Sequence, residues 1–220
     1  MSLKTTLAAS ALILAGSFGL WSLVPASPAQ AQDTAPAAEA PAMEIKDMAL
    51  GPVDAPVTLI EYASYTCPHC ATFHKQIFKP LKTDYIDTGK VRFVYREVYF
   101  NQDRPAFWAA MVARCGGEMR YFAIQDSIFA RQQEWLSINN PADMVESLKK
   151  SGLVNGLDKT ALDACMQDAT LAQGMLDLFN ENMAEYDIQG TPTLIINGTK
   201  HANMSYADLK TILDAELAKE

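Results

Sequence analysis

The chain has 220 residues and a formal net charge of −8. That balance argues against nucleic acid and anionic lipid as main partners. The length allows one domain with a real core, or one domain carrying a sizeable insertion. Residues 1–31 read as an export signal: Lys4 is the only charge, an apolar run extends from Leu7 to Val24, and Ala29-Gln30-Ala31 is a small-x-small cleavage pattern. Cleavage is placed after Ala31. It removes Lys4 and no acid, so a charge of −8 becomes −9. The run is also just long enough to cross a membrane, which makes an uncleaved N-terminal anchor the competing reading. Residues 32–43 hold no aromatic side chain and are expected to be a flexible leader.

The expected elements then follow in order. Residues 44–50 are a candidate edge strand, and Gly51-Pro52-Val53-Asp54-Ala55-Pro56 is a turn. Residues 57–63 are nearly all apolar, as a strand covered on both faces should be. Glu61 is the exception, and a buried carboxylate is expensive unless paired or functional. Residues 67–84 carry apolar side chains at helical spacing, with a kink expected at Pro80. Residues 91–96 are a second strand, which makes a βαβ unit whose site lies at the C-terminal end of its first strand.

A helical block comes next. Helices are expected at 104–113, 118–130, 141–150, 159–166 and 170–186. Gly116-Gly117 breaks the first from the second, Asn140-Pro141 starts the third, Gly152 and Gly156 mark its exit, and Asp158 caps the fourth. Residues 132–138 read as a polar segment around Trp135. The sheet resumes at 190–198, with a return strand at 199–202. Asn197-Gly198-Thr199 matches a glycosylation pattern but reads as a hairpin turn. Ser205-Tyr206-Ala207-Asp208 is a capping box for a last amphipathic helix.

The chemistry centres on Cys67-Pro68-His69-Cys70. Two cysteines at x-x spacing where a strand passes into a helix form a redox site. The first meets the free N–H groups and positive dipole end of the helix, which favour a thiolate. The second lies one turn on, close enough to close a small disulfide ring. There are four cysteines, and they allow three pairings. The short spacing prefers Cys67 with Cys70, which leaves Cys115 with Cys165. The competing reading, a zinc site using all four thiols, lacks the usual ligand spacing. Glu61 lies six residues before Cys67, which puts it beneath the dithiol; a salt-bridged strand residue is the alternative. His74 reads as a surface or boundary residue of the helix.

Cys67-Pro68-His69-Cys70 after a strand, Thr191-Pro192 before a hairpin, and a helical block between them resemble the DsbA family of periplasmic thiol oxidases. Arg96-Glu97-Val98-Tyr99-Phe100 and Ala113-Arg114-Cys115-Gly116-Gly117 look like its alphaproteobacterial branch, which carries a second cysteine pair. The resemblance covers roughly residues 57–219. It implies an α/β thioredoxin fold with an inserted all-helical domain: 44–100 and 187–220 as the thioredoxin parts, 101–186 as the insertion. It implies that Cys67 is the exposed nucleophile and Cys70 the buried resolving cysteine. Pro68 and His69 would tune the pair, the latter by stabilising the Cys67 thiolate. Pro192 would be a cis-proline facing the disulfide, with Thr191 lining the substrate contact and Glu61 as the acid beneath. Some members have a second acid seven residues after the first cysteine, where this chain has His74. Thr191 stands where the best-known member has valine; disulfide isomerases also carry threonine there, so it does not separate the two activities.

The expected activity is that of an exported, monomeric thiol:disulfide oxidase, located in the periplasm. Its partners would be reduced secreted proteins and an inner-membrane, quinone-linked reoxidase. No metal or organic cofactor is called for, because the cysteine pair is itself the redox group. A disulfide isomerase or reductase, and a redox-inert peptide-binding chaperone, are the competing readings.

Overall fold

The computed structural model describes residues 45–219. The expected export signal, the leader and Glu44 lie outside the described residues. Five strands form one sheet: β1 (Met48–Leu50), β2 (Val57–Ala63), β3 (Val91–Glu97), β4 (Thr193–Ile196) and β5 (Thr199–Ala202). Their spatial order is β1-β3-β2-β4-β5, so β2 sits at the centre and β1 at an edge. β2 and β3 run parallel, with Glu61 opposite Tyr95. The other pairings are antiparallel. Alternate residues of β2 serve opposite faces. Leu59 and Ala63 join the core that holds Cys70 and Phe73, whereas Ile60 and Tyr62 join the one that holds Ile188 and Ile195.

The helix after β2 begins as α1 (Pro68–Phe73) and continues without interruption to Ile86. It widens into π-helical turns at His74–Phe78 and Lys82–Ile86, on either side of α2 (Lys79–Leu81). Two wider turns thus flank Pro80, where a kink is expected. Proline has no N–H to donate and crowds the preceding turn, and a longer hydrogen-bond spacing relieves both. The helix runs two residues beyond its expected end at Asp84.

Six more helices precede β4: α3 (Arg104–Arg114), α4 (Gly117–Ala130), α5 (Gln132–Leu136), α6 (Pro141–Val154), α7 (Lys159–Cys165) and α8 (Ala169–Glu185); α9 (Tyr206–Leu217) ends the chain. Asp103, Asn140, Asp158, Asp168 and Ser205 each accept a first-turn backbone N–H as N-caps. Two expectations need correction. The polar segment around Trp135 is a short helix, α5, because Trp135 is buried and donates its Nε1–H to Ile128 O at 3.0 Å. Gly152 lies inside α6 rather than at its exit. A Cβ there would come within 3.0 Å of Leu157 and 3.1 Å of Leu162, so glycine lets α7 and the loop before it approach. The hairpin turn takes the left-handed backbone that Asn-Gly favours, with φ 45° at Asn197 and 83° at Gly198.

Helices α3 to α7 pack on one another, and α4 also packs on the His74–Phe78 turn; α8 packs on β3. Leu171 and Met175, in the first turns of α8, join the core shared by Leu59 of the sheet and the helices, while Phe179 and Met183 pack against the cluster that holds Tyr62 and Val94 on the other sheet face. We therefore propose to draw the inserted unit at α3–α7 and to count α8 as a layer over the sheet. Among the described residues, no helix is long and apolar enough to cross a membrane.

Two covalent or ionic braces hold the inserted unit. A disulfide joins Cys115, which caps α3, to Cys165 at the end of α7, across 50 residues of chain. A closed loop of that length is worth about 2–4 kcal/mol. Arg114 donates from Nε and Nη2 to the Glu97 carboxylate at 2.8 and 2.6 Å, and Tyr121 OH donates to Glu97 Oε1 at 2.7 Å. Arg114 and Glu97 are each 6% exposed, so removing one strands a charge in the interior. Arg114→Met is expected to cost about 3–5 kcal/mol in urea unfolding, and adding Glu97→Leu to recover part of it. A loss below about 1 kcal/mol would contradict the uncompensated-charge account.

Candidate active site

The loop between β2 and α1 presents the dithiol. Cys67 N–H donates to Ser64 O at 3.1 Å, which turns the chain. Cys67 is the N-cap of α1, with extended backbone (φ −73°, ψ 121°), and Pro68 follows at the first helical position, where no N–H is needed. Cys70 N–H points back to Cys67 Sγ at 3.4 Å. Both cysteines are free thiols, Cys67 half-buried and Cys70 buried. Across from them the Thr191–Pro192 peptide is cis, and Thr191 O lies 3.3 Å from Cys67 Sγ. Pro192 is buried and Thr191 half-buried, whereas Pro68 and His69 are exposed.

The two sulfurs have opposite electrostatics. The Cys67 thiol is lowered to about 5, chiefly by a hydrogen bond from the Cys70 thiol. Partial burial opposes this, while contact with Thr191 and the backbone N–H groups of Cys70 and His69 assist it. The Cys70 thiol is pushed far up by burial first, then by its hydrogen bond to Cys67 and by the negative charges of Glu61 and Cys67. Glu61 is 2% exposed and takes part in no ion pair among the described residues. Burial and then the Cys67 charge hold its carboxyl well above the usual range. It is a buried acid coupled to the dithiol, and the salt-bridged alternative does not describe it.

The two histidines near the dithiol sit in different surroundings, and only His74 departs from its expected place. His69 acts on Cys67 through its backbone N–H, and its imidazole lies exposed. His74, expected at the surface or boundary, is 4% exposed. Its ring stacks on Phe78 at 4.8 Å and packs against Phe129 at 5.0 Å, and Nε2 sits 3.0 Å from Asp126 Oδ1. The aromatic faces cover the ring and Asp126 satisfies its nitrogen, so burial leaves that polar atom partnered. A groove of about 670 Å³ opens beside Pro68 between this helix and α4–α5, with His74, Asp126 and Gln132 in its walls. Cys115 and Cys165 are bonded to each other, so they cannot complete a four-thiolate site with Cys67 and Cys70.

Three side chains of the inserted unit hydrogen-bond to the loop, and motif reading missed all of them. Asp103 accepts from Thr66 Oγ1. Tyr121 OH accepts from Tyr65 OH at 3.1 Å. Gln132 Nε2 donates to Tyr65 O at 2.8 Å and to Cys67 O at 2.9 Å. Asp103 had a readable signal, as the acid before Arg104-Pro105 at a helix start. Gln132 had none.

A family model described as Thioredoxin matches residues 43–215. The chain belongs to the thioredoxin family, in its DsbA-like group. A Rickettsia bellii protein that carries the provisional name protein-disulfide oxidoreductase is 32% identical over 168 residues, 76% of this chain. The chain spans less than two thirds of the length of that protein and of a Rickettsia felis relative, 63% and 61% respectively. Disulfide bond formation protein D of Bacillus subtilis is 30% identical over 179 residues, 76% of each chain. The crystal structure of Wolbachia pipientis alpha-DsbA1 superposes with a TM-score of 0.70 at 26% identity, covering 79% of this chain and 92% of that one.

The contrast between the sulfurs sets an expected pH profile. Only the thiolate alkylates, so the iodoacetamide rate of the reduced protein should rise with pH to a midpoint near 5 and then level off. Cys67→Ser should abolish that acid-side step, because Cys70 stays protonated and buried. A midpoint at the free-thiol value of about 8.5 would refute the assignment.

Proposed function

We propose that this protein is an exported thiol:disulfide oxidoreductase that donates a Cys67–Cys70 disulfide to reduced proteins. The observation that carries this reading is the Cys67 sulfur at the start of α1, favoured as a thiolate beside a buried Cys70 thiol. A substrate thiolate attacks Cys67 Sγ of the oxidised pair. The Cys67–Cys70 bond breaks as the substrate–Cys67 bond forms, and Cys70 leaves with the electron pair and takes a proton. Glu61, buried in the strand beneath with its carboxyl held well above the usual range, is the acid assigned to supply it. A second substrate thiolate then attacks the substrate sulfur, and Cys67 leaves as a thiolate. The substrate loses two electrons and the cysteine pair gains them.

A stable leaving thiolate makes the disulfide a stronger oxidant. A thiol at about 5 lies between about 3.5 for DsbA and about 7 for thioredoxin, which favours the oxidase over the reductase. Thr191 and Pro192 face the dithiol and are assigned to substrate-backbone binding in extended form. Reduced secreted proteins as substrates, a quinone-linked inner-membrane reoxidase, the periplasm as location and a monomeric state complete the proposal. They rest on the family resemblance and on the export signal read in residues 1–31.

Equilibration with glutathione tests the reading. The expected potential lies above about −180 mV, toward about −120 mV. Above pH 5 the reduced pair holds Cys67 as a thiolate, so reduction consumes two electrons and one proton. The potential should therefore fall by about 30 mV per pH unit between pH 6 and 8, against about 59 mV if both thiols were protonated. A value near −180 mV with turnover of a scrambled substrate would indicate an isomerase. A value near −250 mV, or the steeper slope, would overturn the proposal.

A further inference from the structure

The inserted unit hydrogen-bonds to the backbone of Cys67 through Gln132. Gln132 is the first residue of α5, and its amide is 6% exposed as a residue. Both of its neighbours at hydrogen-bond distance are backbone carbonyls, Tyr65 O at 2.8 Å and Cys67 O at 2.9 Å. Carbonyls only accept, so the NH2 end must face them and both of its hydrogens are used. Cys67 O also accepts the first helical bond, from Ala71 N–H at 3.2 Å. Both lone pairs of that oxygen are thereby engaged, one by the helix and one by α5. The platform behind the amide is stiff. Trp135 is bonded to Ile128 O, and Arg131 donates to Ser147 O at 3.2 Å and to Glu134 at 2.6 Å.

We propose that Gln132 is a positioning residue for the dithiol: its amide clamps the carbonyls of Tyr65 and Cys67 and so holds the Cys67 sulfur over the start of α1. The backbone of Cys67 has extended ψ at 121°, outside the helical range, and the geometry that aims Sγ at the Cys70 N–H depends on it. Rotation of the Cys67 peptide would move its carbonyl away from Gln132 and its sulfur away from the helix start together. The clamp also sets the partial positive charge of an amide NH2 one peptide from the sulfur, where it favours the thiolate over the disulfide. In this arrangement the inserted unit contributes to redox reactivity and not only to the shape of the surface.

The inference rests on Cys67 as the exchanging sulfur, and its test separates the two. Gln132→Met keeps the length and removes both donors; Gln132→Asn is a milder variant that cannot span both carbonyls. Trp135→Phe loosens the same helix without touching the loop. The readouts are the pH midpoint of Cys67 alkylation and the glutathione equilibrium constant, with thermal unfolding alongside. Gln132→Met is expected to raise the alkylation midpoint and to lower the oxidising equilibrium constant by roughly 3- to 10-fold, the range for one or two lost hydrogen bonds. Gln132→Asn should fall between it and the wild type, and Trp135→Phe should lower the unfolding temperature alone. Unchanged redox readouts in both Gln132 variants, or equal changes in Trp135→Phe, would overturn the proposal and leave Gln132 as a tether. A wild-type midpoint near 8.5 would instead sink the functional reading itself.

Discussion

Two sulfurs three residues apart must live in opposite surroundings, and most of the structure follows from that constraint. Cys67 is half-buried at a helix start, with the Cys70 N–H on one side and the Thr191 carbonyl on another; Cys70 is buried, with Glu61 in the strand beneath. The separation comes from the end of β2. The strand stops at Ala63, the loop crosses residues 64–67, and α1 folds back over the sheet face that carries Leu59 and Ala63. One turn of helix then carries Cys70 from the rim into the core. Glu61 is deep because β2 is central, hydrogen-bonded to β3 on one side and β4 on the other. A strand at the sheet edge would have left that acid solvated, with no burial to raise its carboxyl.

The inserted unit grips the same short loop from three helices. Asp103 caps α3 and meets Thr66, Tyr121 on α4 meets Tyr65, and Gln132 on α5 meets the carbonyls of Tyr65 and Cys67. Behind the grip stands the buried pair of Glu97 and Arg114. Glu97 ends β3 opposite Ala63, where β2 gives way to the loop. A buried ion pair adds little net stability compared with apolar packing, because desolvation offsets attraction. Its effect here is register. Guanidinium and carboxylate meet in one bidentate geometry, which fixes α3, and with it the disulfide from Cys115, against the strand end that feeds the active loop.

Features written in local sequence were legible, and features made by distant partners were not. The run 57–63, the Asn140-Pro141 start, the Asp158 cap and the Asn197-Gly198 turn each depend on residues within a few positions, and the elements lie where those signals fall. The cis peptide before Pro192 and the meeting of Cys115 with Cys165 followed from the motif and the resemblance together. Gln132 carries no local mark, since its two acceptors lie about 65 residues upstream. His74 was misread because its cover comes from Phe129 and its partner is Asp126, both on α4. Pro80 was legible as a disturbance, but its outcome as two wider turns depends on how the whole helix beds onto the sheet.

The cap position of Cys67 gives the redox state a structural meaning. Helix N-caps are usually Ser, Thr, Asp or Asn, whose oxygens accept the free N–H groups; a neutral thiol is a poor substitute, and a thiolate is a good one. A cap is worth about 0.5–2 kcal/mol and a charge at the helix dipole about 0.3–1 kcal/mol. Together these cover about one to two pH units of thiol acidity at about 1.4 kcal/mol each. They fall short of a drop to about 5, and the Cys70 thiol, the largest contributor, makes up much of the difference. That donor exists only when Cys70 is itself reduced and protonated. Breaking the disulfide thus creates both the anion and the hydrogen bond that stabilises it, while forming the disulfide destroys both at once. The helix start is complete in the dithiol and lacks its charged cap in the disulfide, so this local term favours the dithiol.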